Sequence, residues 1–381
     1  MTGTSSPWTR RQFAQALATS LAISRLGRKA AASTTPDLAG FAFVASTGAS
    51  TSAPDGAIHA FRVSGSKWSA VQTVPAHAPA HLESHPTLPI LYAVHAVGLW
   101  NNLPRGAVSA YSISPTTGQL TLHSTQPLSL SATHPRHAAV TPDGRHLFVA
   151  AERGAVYNLL AIAADGSLES PIAIRKEFGL LKGTIPKVAT PLHVVFHPGT
   201  STVLTADPGQ ETINSFALGR ESIDLRHRTH THPGAGPSQL VLSPSGEWAY
   251  ALHTTDGSIA AHRIDAGRPL PASQIHTARQ PGPALMAMHP SGRFLITTGT
   301  DGITCLAIDP RSGQLSPRGP VLPRPPLRVL AFSPCGHHLL GAVPSSGHLL
   351  RVPFDAASGT IGRPQTVAHV NAASSLLFRP A

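Results

Sequence analysis

The run TPDGRHLFVAA, residues 141–151, decides how this chain is read. An apolar stretch, His137-Ala-Ala-Val140, leads into it, Thr-Pro-Asp-Gly turns the chain, and Leu147-Phe-Val-Ala150 resumes as a strand. Proline presets φ for the turn and glycine takes the positive φ that closes it, so the element reads as a hairpin. Similar copies read SPSGEWAYAL (243–252), HPSGRFLITTG (289–299) and SPCGHHLLGAV (333–343). The turn prolines are Pro86, Pro142, Pro198, Pro244, Pro290, Pro334 and Pro380, in steps of 56, 56, 46, 46, 44 and 46 residues. A unit of this length, built of short apolar strands, cannot bury itself and must stack on its neighbours. The sequence therefore predicts an all-β fold, a single seven-bladed β-propeller.

A third strand follows each hairpin, as in Gly106-Ala-Val-Ser-Ala-Tyr111, Glu211-Thr-Ile-Asn-Ser-Phe216 and Gly302-Ile-Thr-Cys-Leu-Ala307. Turns such as Thr116-Thr-Gly-Gln119 and Arg311-Ser-Gly-Gln314 then lead to an outermost strand. Leu376-Leu-Phe-Arg-Pro380 reads as an innermost strand with its turn, and Phe41 to Ala45 as the strand that should follow it. The last blade is thus expected to be closed by the N- and C-terminal strands, which leaves no long free edge. Residues 33–381 are assigned to the propeller.

Residues 1–32 read as an export address. Thr9-Arg-Arg-Gln-Phe13 fits the twin-arginine pattern, an apolar stretch from Ala14 to Ile23 follows, and Ala30-Ala-Ala32 offers a small-residue cleavage site. The apolar stretch is too short to span a bilayer. The reading is a twin-arginine signal peptide, recognition by the twin-arginine export machinery, and a periplasmic protein without stable membrane insertion once the signal is removed.

The formal charge is +11, but residues 1–32 contribute five basic residues and no acid, leaving +6 for the rest. The remaining basic residues are scattered through turns, with no basic stripe interleaved with aromatics. Nucleic acid is therefore excluded as a partner, and a small anionic ligand is the better use of a few convergent arginines. Cys305 and Cys335 are the only cysteines and no C-x-x-C exists, so two free thiols, one of them buried, are expected.

In a hairpin, the start of the first strand and the end of the second lie at one end, opposite the turn. The proline turns therefore mark one face of the ring and place any site at the other mouth. The positions to inspect lie five to six residues before each proline and nine to ten after it. They hold His81, Arg136, His137, His193, Gln239 and Arg328 in the first column, and His95, Glu152, Asp207 and His253 in the second. Histidines on outer turns, such as His337 and His338, are weaker candidates. His227, His230 and His232 form H-x-x-H-x-H, read either as a metal clip or as a solvated strand end. Lys176, Lys182 and Lys187 lie in the residues that lengthen one repeat, read either as reaching toward an anion at the mouth or as a solvated loop.

The chain resembles the seven-bladed propeller lactonases, the family of 6-phosphogluconolactonase and the fungal carboxymuconate lactonizing enzymes. The resemblance rests on Tyr92-Ala-Val94, Gly106-Ala-Val-Ser-Ala-Tyr111 with Thr117-Gly-Gln-Leu120, the run at 141–150, Gly234-Ala-Gly-Pro237 and the Pro-Ser-Gly turns. It covers residues 41–381. It implies a lactone hydrolase and a histidine at the position of His137. Where the family has Asn-Glu, this chain has His95-Ala96 and His253-Thr254, and where the family has Arg-His it has Ser238-Gln239.

Opening a lactone needs a base for water, a cation for the oxyanion and a group that orients the base. The expected assignments are His137 or His193 as base, Glu152 or Asp207 as orienting carboxylate, and Arg136 and Arg328 as cations. His81, His95, Gln239 and His253 are assigned to substrate binding. No metal or other cofactor is expected. The alternative is a catalytically degenerate periplasmic propeller that binds a small ligand or a protein partner.

Overall fold

The computed structural model describes residues 38–48, 55–182, 185–276, 285–299, 302–322 and 326–380. The segment read as a signal peptide lies outside them. Seven antiparallel sheets follow the repeat, each beginning at an inner strand. The inner strands of blades 1 to 6 are Pro79–Ser84, Thr133–Val140, His193–Phe196, Pro237–Leu242, Leu285–Met288 and Val329–Phe332. Blade 7 takes its inner strand, Ala373–Pro380, from the end of the chain and the next, Ala39–Thr47, from its beginning. These two pair antiparallel, with Phe43 opposite Leu377 and Gly40 opposite Pro380. Each inner strand touches the next, and that of blade 6 touches that of blade 7, so the ring closes.

Continuous apolar runs such as FAFVA at 41–45 have a simple cause. Successive side chains of a strand point to opposite faces, and here both faces meet a neighbouring blade. Phe41, Phe43 and Ala45 pack with Leu91, Ala93 and Tyr111 of blade 1, whereas Ala42 and Val44 pack with Leu340, Ala342 and Leu349 of blade 6. Every pair of adjacent blades shares one such apolar cluster, and seven clusters make up the core.

The proline-turn end is tied by histidines. His85, His197 and His289 each precede a turn proline, and each donates from Nε2 to a glycine carbonyl in the turn of the following blade. The acceptors are Gly144, Gly246 and Gly336, at 2.9, 3.0 and 3.1 Å. Gly246 sits at φ +77°, and a Cβ there would lie 2.7 Å from His197 Nε2. Glycine is needed both for the turn and for this approach.

His338 is not on an outer turn. It opens the strand His338–Ala342, is buried, and has Nε2 2.6 Å from an Arg351 guanidinium nitrogen. Cys305 is buried, Cys335 is exposed, and neither forms a disulfide. The residues that lengthen the step after blade 2 include a hairpin, Leu180–Lys182 with Ile185–Lys187. No helix among the described residues is long and apolar enough to cross a membrane.

Candidate active site

His81, His137 and His193 lie near the start of three neighbouring inner strands, opposite Val94, Ala150 and Ala206 of the second strands. Because those inner strands pack side by side, the three rings meet. The His81 and His137 centroids are 3.8 Å apart with planes at 28°, and those of His137 and His193 are 4.0 Å apart at 42°. The result is a ladder of imidazoles across three blades. His81 Nε2, His137 Nδ1 and His193 Nδ1 are out of solvent and make no hydrogen bond. Burial, reinforced by the neighbouring imidazoles, holds His137 well below the ordinary histidine range, and burial with His81 nearby brings His193 down to about 3. Those two rings are neutral at pH 7, in the form that accepts a proton.

A backbone irregularity helps to set the ladder. The register slips between Pro79 and His81 in blade 1 and between Pro135 and His137 in blade 2. A bulge breaks strict alternation and re-aims side chains. Arg136 and His137 are therefore not forced to opposite faces.

The carboxylates depart from expectation. Glu152 does not orient the histidines: its Oε2 accepts from Arg136 Nε at 2.5 Å and so fixes the guanidinium. Asp207 does not touch the ladder either. It is fully buried, and its Oδ1 accepts from the amides of Thr190 (2.9 Å) and Gln210 (3.0 Å), pinning the chain beside the mouth. Desolvation raises its pKa above the ordinary carboxylate value. The carboxylate that meets the ladder is Glu83, with Oε2 3.5 Å from His81 Nε2 and Oε1 3.5 Å from the Val140 amide of blade 2. Glu83 was missed because it lies deeper than the inspected columns. Its spacing of two from His81, which puts both side chains on one strand face, was the available signal.

The assigned binding residues divide. Arg328 is exposed and forms no ion pair among the described residues, so its charge is available. Gln239 is committed to the scaffold: its amide nitrogen donates to the Met286 carbonyl (2.8 Å) and its amide oxygen accepts from the Met286 amide (2.9 Å), joining blades 4 and 5. Ser375 Oγ likewise accepts from the Leu82 amide and joins blades 7 and 1. His95 is buried and fully occupied. Its Nδ1 donates to the His77 carbonyl (2.8 Å), its Nε2 lies 2.7 Å from Ser109 Oγ, and burial lowers its pKa to about 4. His253 is buried with Nδ1 2.8 Å from Ser258 Oγ, and burial lowers it to about 4. His95 and Gln239 thus hold the mouth in shape and have no free group for substrate.

The family described as "Lactonase, 7-bladed beta-propeller" matches residues 44–378. The chain belongs to this family. A 6-phosphogluconolactonase of Bacillus subtilis is 23% identical over 251 residues, 62% of this chain and 69% of that protein. A 6-phosphogluconolactonase of Pectobacterium atrosepticum is 29% identical over 136 residues, 35% of this chain and 38% of that one. Among solved structures, the Pseudomonas aeruginosa periplasmic gluconolactonase superposes with a TM-score of 0.76 at 24% identity, over 89% of this chain and 98% of that one. In this lactonase-family propeller the assigned groups not tied wholly into the scaffold include the histidine ladder, Arg136 with Glu152, Arg328 and His253 Nε2, with Glu83 against His81.

Proposed function

We propose that this chain is a hydrolase that opens a sugar lactone or a carboxylated lactone at the ladder mouth. The observation that carries the reading is the stack of His81, His137 and His193, with the Arg136–Glu152 pair formed across the same two strands that carry His137. Family membership and the lactonases among the relatives support it.

Water attacks the lactone carbonyl carbon, and the imidazole of His137 or His193 takes the proton. The new C–O bond creates an oxyanion, which Arg136 stabilises, with Arg328 available for a substrate carboxylate or phosphate. Collapse breaks the ring C–O bond, and the imidazolium returns its proton to the departing alkoxide, giving a hydroxy acid. A base held as low as His193 is weak by itself. An anionic transition state beside the ladder favours the charged ring, and Glu83 supplies compensating negative charge.

The test is purified protein against a panel of sugar and carboxylated lactones, read by proton release with a pH indicator. Turnover above buffer on at least one lactone is expected. Binding without turnover across the panel would favour the alternative, a degenerate propeller holding a small anion, in keeping with the replacement of both family glutamates by His95-Ala96 and His253-Thr254.

We further propose export by the twin-arginine route to the periplasm, from Arg10-Arg-Gln-Phe13 and the short apolar run after it. Cell fractionation tests it: replacing Arg10 and Arg11 by Lys should retain the protein in the cytoplasm.

A further inference from the structure

We propose that His232, His253 and Asp256 form a binding site for a divalent transition-metal ion, zinc(II) by ligand type, at the mouth of blade 4. One ligand atom from each residue lies within 4.8 Å of the others. His253 ends the strand Trp248–His253 and pairs with Pro237 at the start of the inner strand, which puts it at the mouth end. Its ring is fully buried, Nδ1 is held by Ser258 Oγ, and Nε2 is out of solvent with no hydrogen-bond partner. An unsatisfied buried nitrogen is destabilising and calls for a reason. A metal ion would take that lone pair.

The other two ligands are already beside it. The His232 ring lies 4.9 Å from the His253 ring, and His232 Nε2 is 2.7 Å from Asp256 Oδ2. Ser258 orients two of the three residues: its hydroxyl meets His253 Nδ1, and its amide donates to Asp256 Oδ1 at 2.9 Å. Such outer contacts fix ligand direction in metal sites. Bonds of about 2.0–2.2 Å around a tetrahedral zinc put donor atoms about 3.3 Å apart. The His232–Asp256 pair would open by about 0.6 Å and the widest separation would close by about 1.5 Å, within reach of side-chain rotation. Two histidines and one carboxylate leave a fourth position open, the donor count of a catalytic and not a structural zinc site.

The site differs from the H-x-x-H-x-H clip. His227 and His230 lie on the outer strand Ile223–His230, and only His232 is shared. It is also independent of the lactonase reading, since a chain inactive on every lactone can still bind the ion.

The full chain, stripped with a chelator and dialysed, should be titrated with zinc chloride alone by calorimetry and with cobalt(II) alone by visible absorption. One ion per chain with Kd below about 10 μM is expected, with the absorption of four-coordinate cobalt. Asp256→Asn and His232→Ala, at partly exposed positions that should not disturb folding, should each weaken binding at least about tenfold. The double variant His227→Ala/His230→Ala should bind as the parent does. No stoichiometric ion, unchanged affinity in both single variants, or loss of binding in the double variant would overturn the proposal.

Discussion

His137 sits between two other imidazoles, and that neighbourhood defines its chemistry more than its place in the chain does. Replacing His137 or His193 by Ala should lower kcat on an accepted lactone by about 10²-fold or more, the usual worth of a positioned base. Unchanged turnover in both variants would remove the ladder from the mechanism. Glu152 acts through Arg136, which meets the oxyanion, so Glu152→Gln should lower kcat about tenfold with a smaller effect on KM. If KM alone rises, Arg136 binds the ground-state substrate and not the oxyanion. The ladder was half legible: the repeat column brought out the three histidines, but not Glu83 as their carboxylate. Glu152 and Asp207 stood in the right column with the wrong partners, because alternation ranks positions and leaves open what a long side chain reaches.

At the scale of one element, the His-Pro turn is a device for joining blades. His85, His197 and His289 reach glycine carbonyls one blade on, so the same dipeptide recurs for a structural reason. Gly246→Ala would force positive φ on a residue with a side chain and drive its Cβ against His197. A loss of about 2 kcal/mol is expected, read as a shift in urea midpoint. A midpoint within error of the parent would show that the turn relaxes at no cost. The turns themselves were legible from the sequence, because proline and glycine act on their own backbone. Which histidine served a turn and which faced the mouth depended on the register between blades. His338 departs from expectation within its own blade: it lies two residues beyond the turn glycine yet points into the sheet toward Arg351 on the adjacent strand.

At the scale of the whole molecule, the ring is one cooperative body because blade 7 is made from both ends. Deleting residues 372–381 removes the inner strand Ala373–Pro380 and opens two blade interfaces together. Global loss of Tm by circular dichroism is expected. An unchanged Tm would mean that the strand is dispensable. The ring also has a pH signature. His95 and His193 have folded values of about 4 and 3 against 6.5 ordinarily, so the unfolded chain binds more protons in that interval. Their stabilisation is complete above pH 6.5 and is lost as the pH falls toward those folded values. The slope is about 1.4 kcal/mol per pH unit for each group. Denaturant midpoints at pH 7, 5.5 and 4 should therefore decline steadily, and a flat profile would argue that these rings are not buried neutral.

The sequence by itself determined the number of blades and the closure by both termini. Turn residues and apolar alternation act locally and repeat at a fixed period, so they can be read along the chain. Only the tertiary structure decided that three histidines stack, that Glu83 and not Glu152 or Asp207 meets them, and that His232, His253 and Asp256 converge. The ladder and the His232 contacts join residues that the chain separates by a blade or by a loop whose path no local rule fixes, whereas Glu83 meets His81 from two residues along the same strand. They exist because closing the ring brings seven strand starts to one mouth.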